Sequence, residues 1–195
     1  MNHFKVSKIA IFFIGFFILI FVICFVLTVR LRGSVKVYPD RDIVVSEDYI
    51  LYRQDNDLWA GDYLGESTFT MKSSGCLVTC IASAMNVDPK TLNEQFSLHN
   101  VYDSEGNLLW GNLKNADDSY HVEVFSEVSK DILMDCLNND RFPIVRVRMH
   151  GIGNFHYVLI VKAEKGIFYC MDPLQDEVTP LSAYGNRIYA IRCVY

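Results

Sequence analysis

The sequence has no basic stripe. Four of its 18 Lys and Arg lie before Gly33 while all 23 Asp and Glu lie after it, leaving 14 basic against 23 acidic residues, a net −9. Nucleic acid is held through clustered Lys and Arg, so that partner class is excluded. Internal repeats, low-complexity tracts and wall-binding repeats are also missing. So are close-set pairs of metal ligands. Cys76 and Cys80 lie one helical turn apart, but His99, His121, His150 and His156 supply no second pair within three to five residues. A structural zinc commonly needs such a second pair, so neither metal nor cofactor is expected. Of the six cysteines, Cys24 lies in an apolar run and the other five make an odd, irregularly spaced set. That is not the framework of a small stapled scaffold. Cys80, Cys136, Cys170 and Cys193 read instead as buried small hydrophobes.

What the chain does have is an apolar run, Ile9 to Val29, without charge, Pro, Asn or Gln. At about 1.5 Å per residue, about 20 residues cover the roughly 30 Å of a bilayer's hydrocarbon core. The run is longer than the apolar core of a cleaved signal peptide, and no small-x-small site follows it. Ile23 stands where a lipoprotein site at Cys24 would want a small residue. A short stub, 1–8, is therefore expected ahead of a transmembrane anchor, 9–29, seated in a lipid bilayer. A juxtamembrane linker, 30–47, and one domain, 48–195, follow. Lys5 and Lys8 on one flank nearly balance Arg30, Arg32 and Lys36 on the other. A short stub ahead of a first span usually stays in the cytoplasm, which gives an extracytoplasmic domain.

Within that domain, apolar residues from Cys76 through Leu77, Val78, Ile81, Ala82 and Met85 recur at helical spacing after Ser73-Ser74-Gly75. Asp88 reads as an N-cap and Pro89 as the first position of a second helix ending near Leu98. Glu105-Gly106-Asn107 reads as a turn, and Ser129 to Asn139 as a third helix with Ile132, Leu133, Cys136 and Leu137 on its apolar face. From Pro143 onward the pattern becomes strand-like: 144–148, 155–161, 166–170 and 187–194, with turn residues between them. Helices followed by consecutive strands give an α+β fold with an antiparallel sheet.

The chemistry centres on Cys76. A helix start favours negative charge, through its unpaired N–H groups and the macrodipole, and thiolate is the form that attacks a carbonyl. A lone cysteine there is more often structural. His156 opens an apolar strand, and Asp172 closes the next one in Tyr169-Cys170-Met171-Asp172-Pro173. A hairpin sets those two positions side by side, so Asp172 can fix the imidazole's tautomer and orientation. Gln54, in Tyr52-Arg53-Gln54-Asp55, carries a side-chain amide able to donate to an oxyanion.

These segments, Tyr-x-Gln-Asp-x-x-x-Trp, Ser-Gly-Cys-x-x-Thr-Cys-x-Ala-Ser-Ala-Met, Asn-Phe-His-Tyr-Val and Met-Asp-Pro, run in order from Tyr52 to Pro173. Their order and spacing resemble the bacteriocin-processing (double-glycine) cysteine peptidases, nearest to their stand-alone, papain-like relatives. The resemblance implies a papain-like fold and cleavage of a peptide or protein substrate. It also implies Cys76 as nucleophile, His156 as general base and acid, Asp172 as the orienting residue and Gln54 as the oxyanion donor. Two departures stand out: there is no P-loop or transporter beside the one span, and Gln54 lies further from Cys76 than in transporter-linked members. A cell-wall amidase or endopeptidase of the same chemistry, or a non-catalytic peptide-binding module on the same fold, are the alternatives.

Overall fold

A computed structural model describes residues 8–44 and 49–195 of the chain. They fall into two units, one ending at Ser34 and the other spanning Val35–Tyr195. The expected stub and the entry to the domain near Ser46 lie outside the described residues, apart from Lys8 and Tyr49 onward.

The first unit is a single helix, α1 (Lys8–Leu31), of which Ile11–Leu31 is long and apolar enough to cross a membrane. Consecutive large apolar side chains from Ile11 to Ile14 and from Phe16 to Ile23 are exposed, so the helix has no polar face. Its one hydroxyl in this stretch, on Thr28, donates back to the carbonyl of Cys24 at 2.8 Å. The polar group is thereby satisfied within the helix, as a lipid environment demands.

The second unit is mixed α+β with antiparallel sheets. Two short strands come first, β1 (Val35–Lys36) and β2 (Ile43–Val44), then the helices α2 (Met71–Ser74), α3 (Cys76–Met85), α4 (Pro89–Leu98) and α5 (Leu113–Ala116). Strand β3 (Val122–Val124) and helix α6 (Lys130–Asn138) lead into β4 (Pro143–Arg148), β5 (Phe155–Glu164), β6 (Ile167–Met171), β7 (Thr179–Pro180), β8 (Arg187–Ile188) and β9 (Ala190–Val194). The main sheet has the order β3-β9-β4-β5-β6-β7, with β2 paired to the far end of β5, while β1 pairs with β8 in a separate ribbon.

The helix signals operate as their chemistry requires. Asp88 Oδ2 accepts from the Thr91 amide at 2.8 Å and Pro89 opens α4. Ser129 caps α6, which buries Leu133, Met134, Cys136 and Leu137. The four late cysteines are all buried, and the spacing gave no hint that Cys136 on α6 and Cys193 on β9 bring their sulfurs within 2.7 Å.

Two expectations need correction. Residues 30–47 are not a free linker: β1 and β2 both lie within them, Val37 is buried, and the compact unit begins at Val35 rather than at residue 48. Strands of two residues are too short to show alternation in the sequence. The run 187–194 is likewise not one strand. Tyr189 divides it, so that β8 joins β1 while β9 enters the main sheet between β3 and β4.

Candidate active site

Cys76 is the first residue of α3 and is half-buried. It is delivered by a tight break between two helices at Gly75, which ends α2 and precedes α3. A Cβ at Gly75 would meet the Met71 carbonyl oxygen at 2.4 Å and Met71 Cα at 2.8 Å, so no side chain fits there. Thr70 caps α2 and Ser73 returns the bond, a capping box that fixes the approach to the break. Beyond it, the Thr79 hydroxyl and amide both donate to the Gly75 carbonyl at 2.9 Å.

Helix α3 packs on β5, the strand that carries His156. One turn after Cys76, the buried Cys80 thiol donates to the carbonyl of Tyr157 at 3.5 Å. This contact ties the turn below Cys76 to the residue next to His156. Burial pushes the Cys80 thiol well up, which keeps it protonated and a donor.

His156 and Asp172 meet across the β5–β6 hairpin. The register pairs Leu159 with Met171, so Asp172 lies diagonally from His156 on one face of the sheet. Nε2 of His156 is 2.6 Å from Oδ1 of Asp172, and both side chains are buried. An ionised carboxylate only accepts, so Nε2 carries the proton and Nδ1 is the ring nitrogen left for Cys76. Burial opposes the imidazolium and is the largest single influence. Hydrogen bonds and charge from Asp172 and Cys76 outweigh it, and raise His156 from its ordinary value to about 9.

Asp172 is held on every side. Its Oδ1 also accepts from the Leu174 amide at 2.8 Å, and its Oδ2 accepts from the hydroxyl of Tyr184. Burial works against its charge, but the bonds from His156 and Tyr184 prevail and set its carboxyl below the usual range. Tyr184 comes from a single helical turn, Leu181–Tyr184, closed by Gly185 in the left-handed conformation at φ 72°. The sequence carried no signal for its role: a tyrosine twelve residues past Asp172 has no periodic or motif relation to it.

Gln54 is buried and its segment clasps the Asp172 loop. The Gln54 amide donates to the Pro173 carbonyl at 3.0 Å, and Arg53 pairs with both Asp55 and Asp176 at 2.8 Å. Trp59 donates from Nε1 to the Arg53 carbonyl, closing the segment on itself. The Gln54 side chain donates through Nε2 to the Lys72 carbonyl at 2.8 Å, in the helix just ahead of Cys76, while its Oε1 has no partner among the described residues.

A cleft of about 280 Å³ opens beside Cys76. Its walls include Leu64 and Phe69 from one loop, Tyr102 and Leu108 from another, and Leu77, Trp110 and Tyr157. Asn93 of α4 braces both loops: Nδ2 donates to the Tyr63 carbonyl at 3.0 Å, and Oδ1 accepts from the Tyr102 hydroxyl at 2.7 Å. The loops abut where Gly106, at φ +76°, lies against Ser67, whose Oγ would sit 2.6 Å from any Cβ placed there. Among the described residues no group of three or more His, Cys, Asp or Glu could hold a metal ion. In comparisons with known proteins, no family model matches this chain and no curated protein matches it.

Proposed function

We propose that this chain is a membrane-anchored thiol hydrolase with a papain-like fold, cleaving a peptide or amide bond through Cys76, His156 and Asp172. One observation carries the reading: a buried histidine is bonded to a buried carboxylate at 2.6 Å, on the strand against which the helix opened by Cys76 packs. A helix-opening cysteine packed on an antiparallel sheet, with its histidine on the adjoining strand, is what a papain-like reading requires. The four sequence segments that resemble those of double-glycine cysteine peptidases point the same way. The apolar α1 serves as the anchor, and the domain lies on the extracytoplasmic side.

In this mechanism the Cys76 thiolate attacks the carbonyl carbon, forming a C–S bond while the carbonyl electrons move to oxygen. The backbone N–H of Cys76 and a hydrogen on Gln54 Nε2 donate to that oxyanion. As the oxyanion collapses the C–N bond breaks, and the imidazolium of His156 gives its Nδ1 proton to the leaving amine. Water then attacks the thioester, His156 accepts its proton, and the carboxylic acid product leaves with the thiolate restored. Asp172 stays ionised throughout and holds the ring.

The test is alkylation of the full chain in neutral detergent, in a Cys24→Ser background, with iodoacetamide. The other four cysteines are buried, so labelling reports on Cys76. Cys76 should label faster than free cysteine at pH 7, with the signal lost in Cys76→Ala and slowed at least about tenfold in His156→Ala. Labelling no faster than free cysteine and indifferent to His156 would falsify the reading.

A further inference from the structure

We infer that the sheet face bordering the cleft is a docking site for a carboxylate-rich stretch of a peptide substrate, held by Arg146 and Arg192 with Arg148 beside them. The inference rests on the cleft beside Cys76 being where substrate lies.

The pairing of the strands brings the three cations together. Arg146 and Arg148 alternate on β4, Ile144 lies opposite Arg192 on β9, and Arg146 lies opposite Tyr157 on β5. Residues opposed in register share a face, and neighbouring strands are about 4.8 Å apart. Each guanidinium is spread against an aromatic ring. Arg146 and Arg148 sit over Phe155 at 4.1 and 3.9 Å, and Arg192 lies 5.7 Å from the Trp110 ring. Stacking occupies the planar faces of a guanidinium; at the edges Arg148 Nη1 donates to the Gly153 carbonyl at 2.8 Å and Arg192 Nη1 to the Ile191 carbonyl at 2.6 Å, and the other N–H groups of Arg146 and Arg192 suit a carboxylate.

The observation that points to a ligand is the missing carboxylate beside two of them, Arg146 and Arg192. Arg53, Lys130, Arg141, Lys162 and Lys165 each pair with a carboxylate. Among the described residues Arg146 and Arg192 pair with none, although acidic residues outnumber basic ones 23 to 18. Their Nε atoms are buried and lack any hydrogen-bond partner there. Burial lowers Arg192, Tyr157 acts in the opposite direction, and the like charge of Arg146 adds to the lowering. Two like charges gathered on one face, with buried Nε atoms that lack a partner among the described residues, suit an anion from outside.

Position and charge together select the anion. Trp110 and Tyr157, which contact this face, also line the cleft with Cys76. These two residues join the cleft to the arginines, which is the route this inference gives to an extended substrate. The surrounding net negative charge disfavours a long polyanion, whereas a few carboxylates need only the local group.

The site can be read without turnover. Full-length protein carrying Cys76→Ala, in neutral detergent, is titrated into rhodamine-labelled hexaglutamate, hexaglutamine and hexalysine, with binding followed by anisotropy. Hexaglutamate should bind at least about tenfold tighter than hexaglutamine and lose affinity as KCl rises. Arg146→Gln/Arg192→Gln should abolish that preference, while Arg146→Lys/Arg192→Lys should keep part of it. With Cys76 restored, chloroacetyl-glycyl-hexaglutamate should alkylate Cys76 at least about tenfold faster than its hexaglutamine twin. Equal binding of the acidic and neutral peptides, or unchanged binding in the glutamine variant, would show that the arginines only pack the sheet. If that variant does not fold, the wild-type preference and its salt dependence decide. Hexaglutamate binding without faster alkylation would overturn the link to the cleft. Failure of the hydrolase reading is a separate result, an unreactive Cys76 in a protein whose peptide binding is intact.

Discussion

Tyr184 donates its hydroxyl hydrogen to the one Asp172 oxygen that His156 does not use. The carboxylate beside His156 is thus fixed from a part of the chain remote in sequence from Cys76.

Removing that hydroxyl strands a buried carboxylate oxygen. Tyr184→Phe keeps the ring and should cost about 1–3 kcal/mol in urea unfolding, the penalty for a buried polar group left unpaired. Freed to rotate, Asp172 should hold His156 less well, so alkylation of Cys76 should slow while Cys76 itself remains accessible. A variant as stable and as reactive as the parent would remove Tyr184 from the site.

Exchanging the charge for an amide tests the carboxylate directly. Asp172→Asn is isosteric, but its amide nitrogen cannot accept from Nε2, and either tautomer of the ring becomes accessible. Hydrolysis of a peptide substrate should fall by at least about a hundredfold, with far less change in melting temperature.

The pair also sets a pH signature. His156 titrates near 6.5 when unfolded but at about 9 when folded, so its contribution to stability is full below roughly pH 6.5 and disappears as pH rises through about 9. Asp172 is shifted down, so its contribution is present above about pH 3.9 and is lost on further acidification. Urea midpoints for the parent should decline from pH 6 to pH 10, and His156→Ala should lack that decline. Hydrolysis should fall in the same alkaline window, because the imidazolium that protonates the leaving amine is gone.

Gly75→Ala places a methyl carbon 2.4 Å from a backbone oxygen. Backbone rather than a flexible side chain must yield, so α2 and α3 are pushed apart at the residue before Cys76. Destabilisation of about 1–3 kcal/mol is expected, as for other overpacking changes. Cys76 labelling should fall too, read by mass spectrometry after timed alkylation.

How much of this was legible depended on how local the cause was. Helix α4 could be drawn to the residue because Asp88 and Pro89 act on the amides next to them. Helix α3 and the β5–β6 hairpin were visible from spacing and turn residues, and so was the meeting of His156 with Asp172. Tyr184 was not, since its partner is reached through a single helical turn rather than along a strand. Arg146 and Arg192 looked like ordinary polar alternation until the sheet order put β9 against β4. Edge strands β3 and β7 were missed for the same reason as β1 and β2: three residues or fewer leave no period to read.

The place of β9 has a consequence for synthesis. It follows every other strand in the chain yet lies inside the sheet, between β3 and β4. A growing polypeptide therefore exposes its thiol long before the strand beside the histidine has a neighbour on its far side. The order of assembly runs against the order of translation, and a nascent chain carries Cys76 before the sheet that holds His156 is complete.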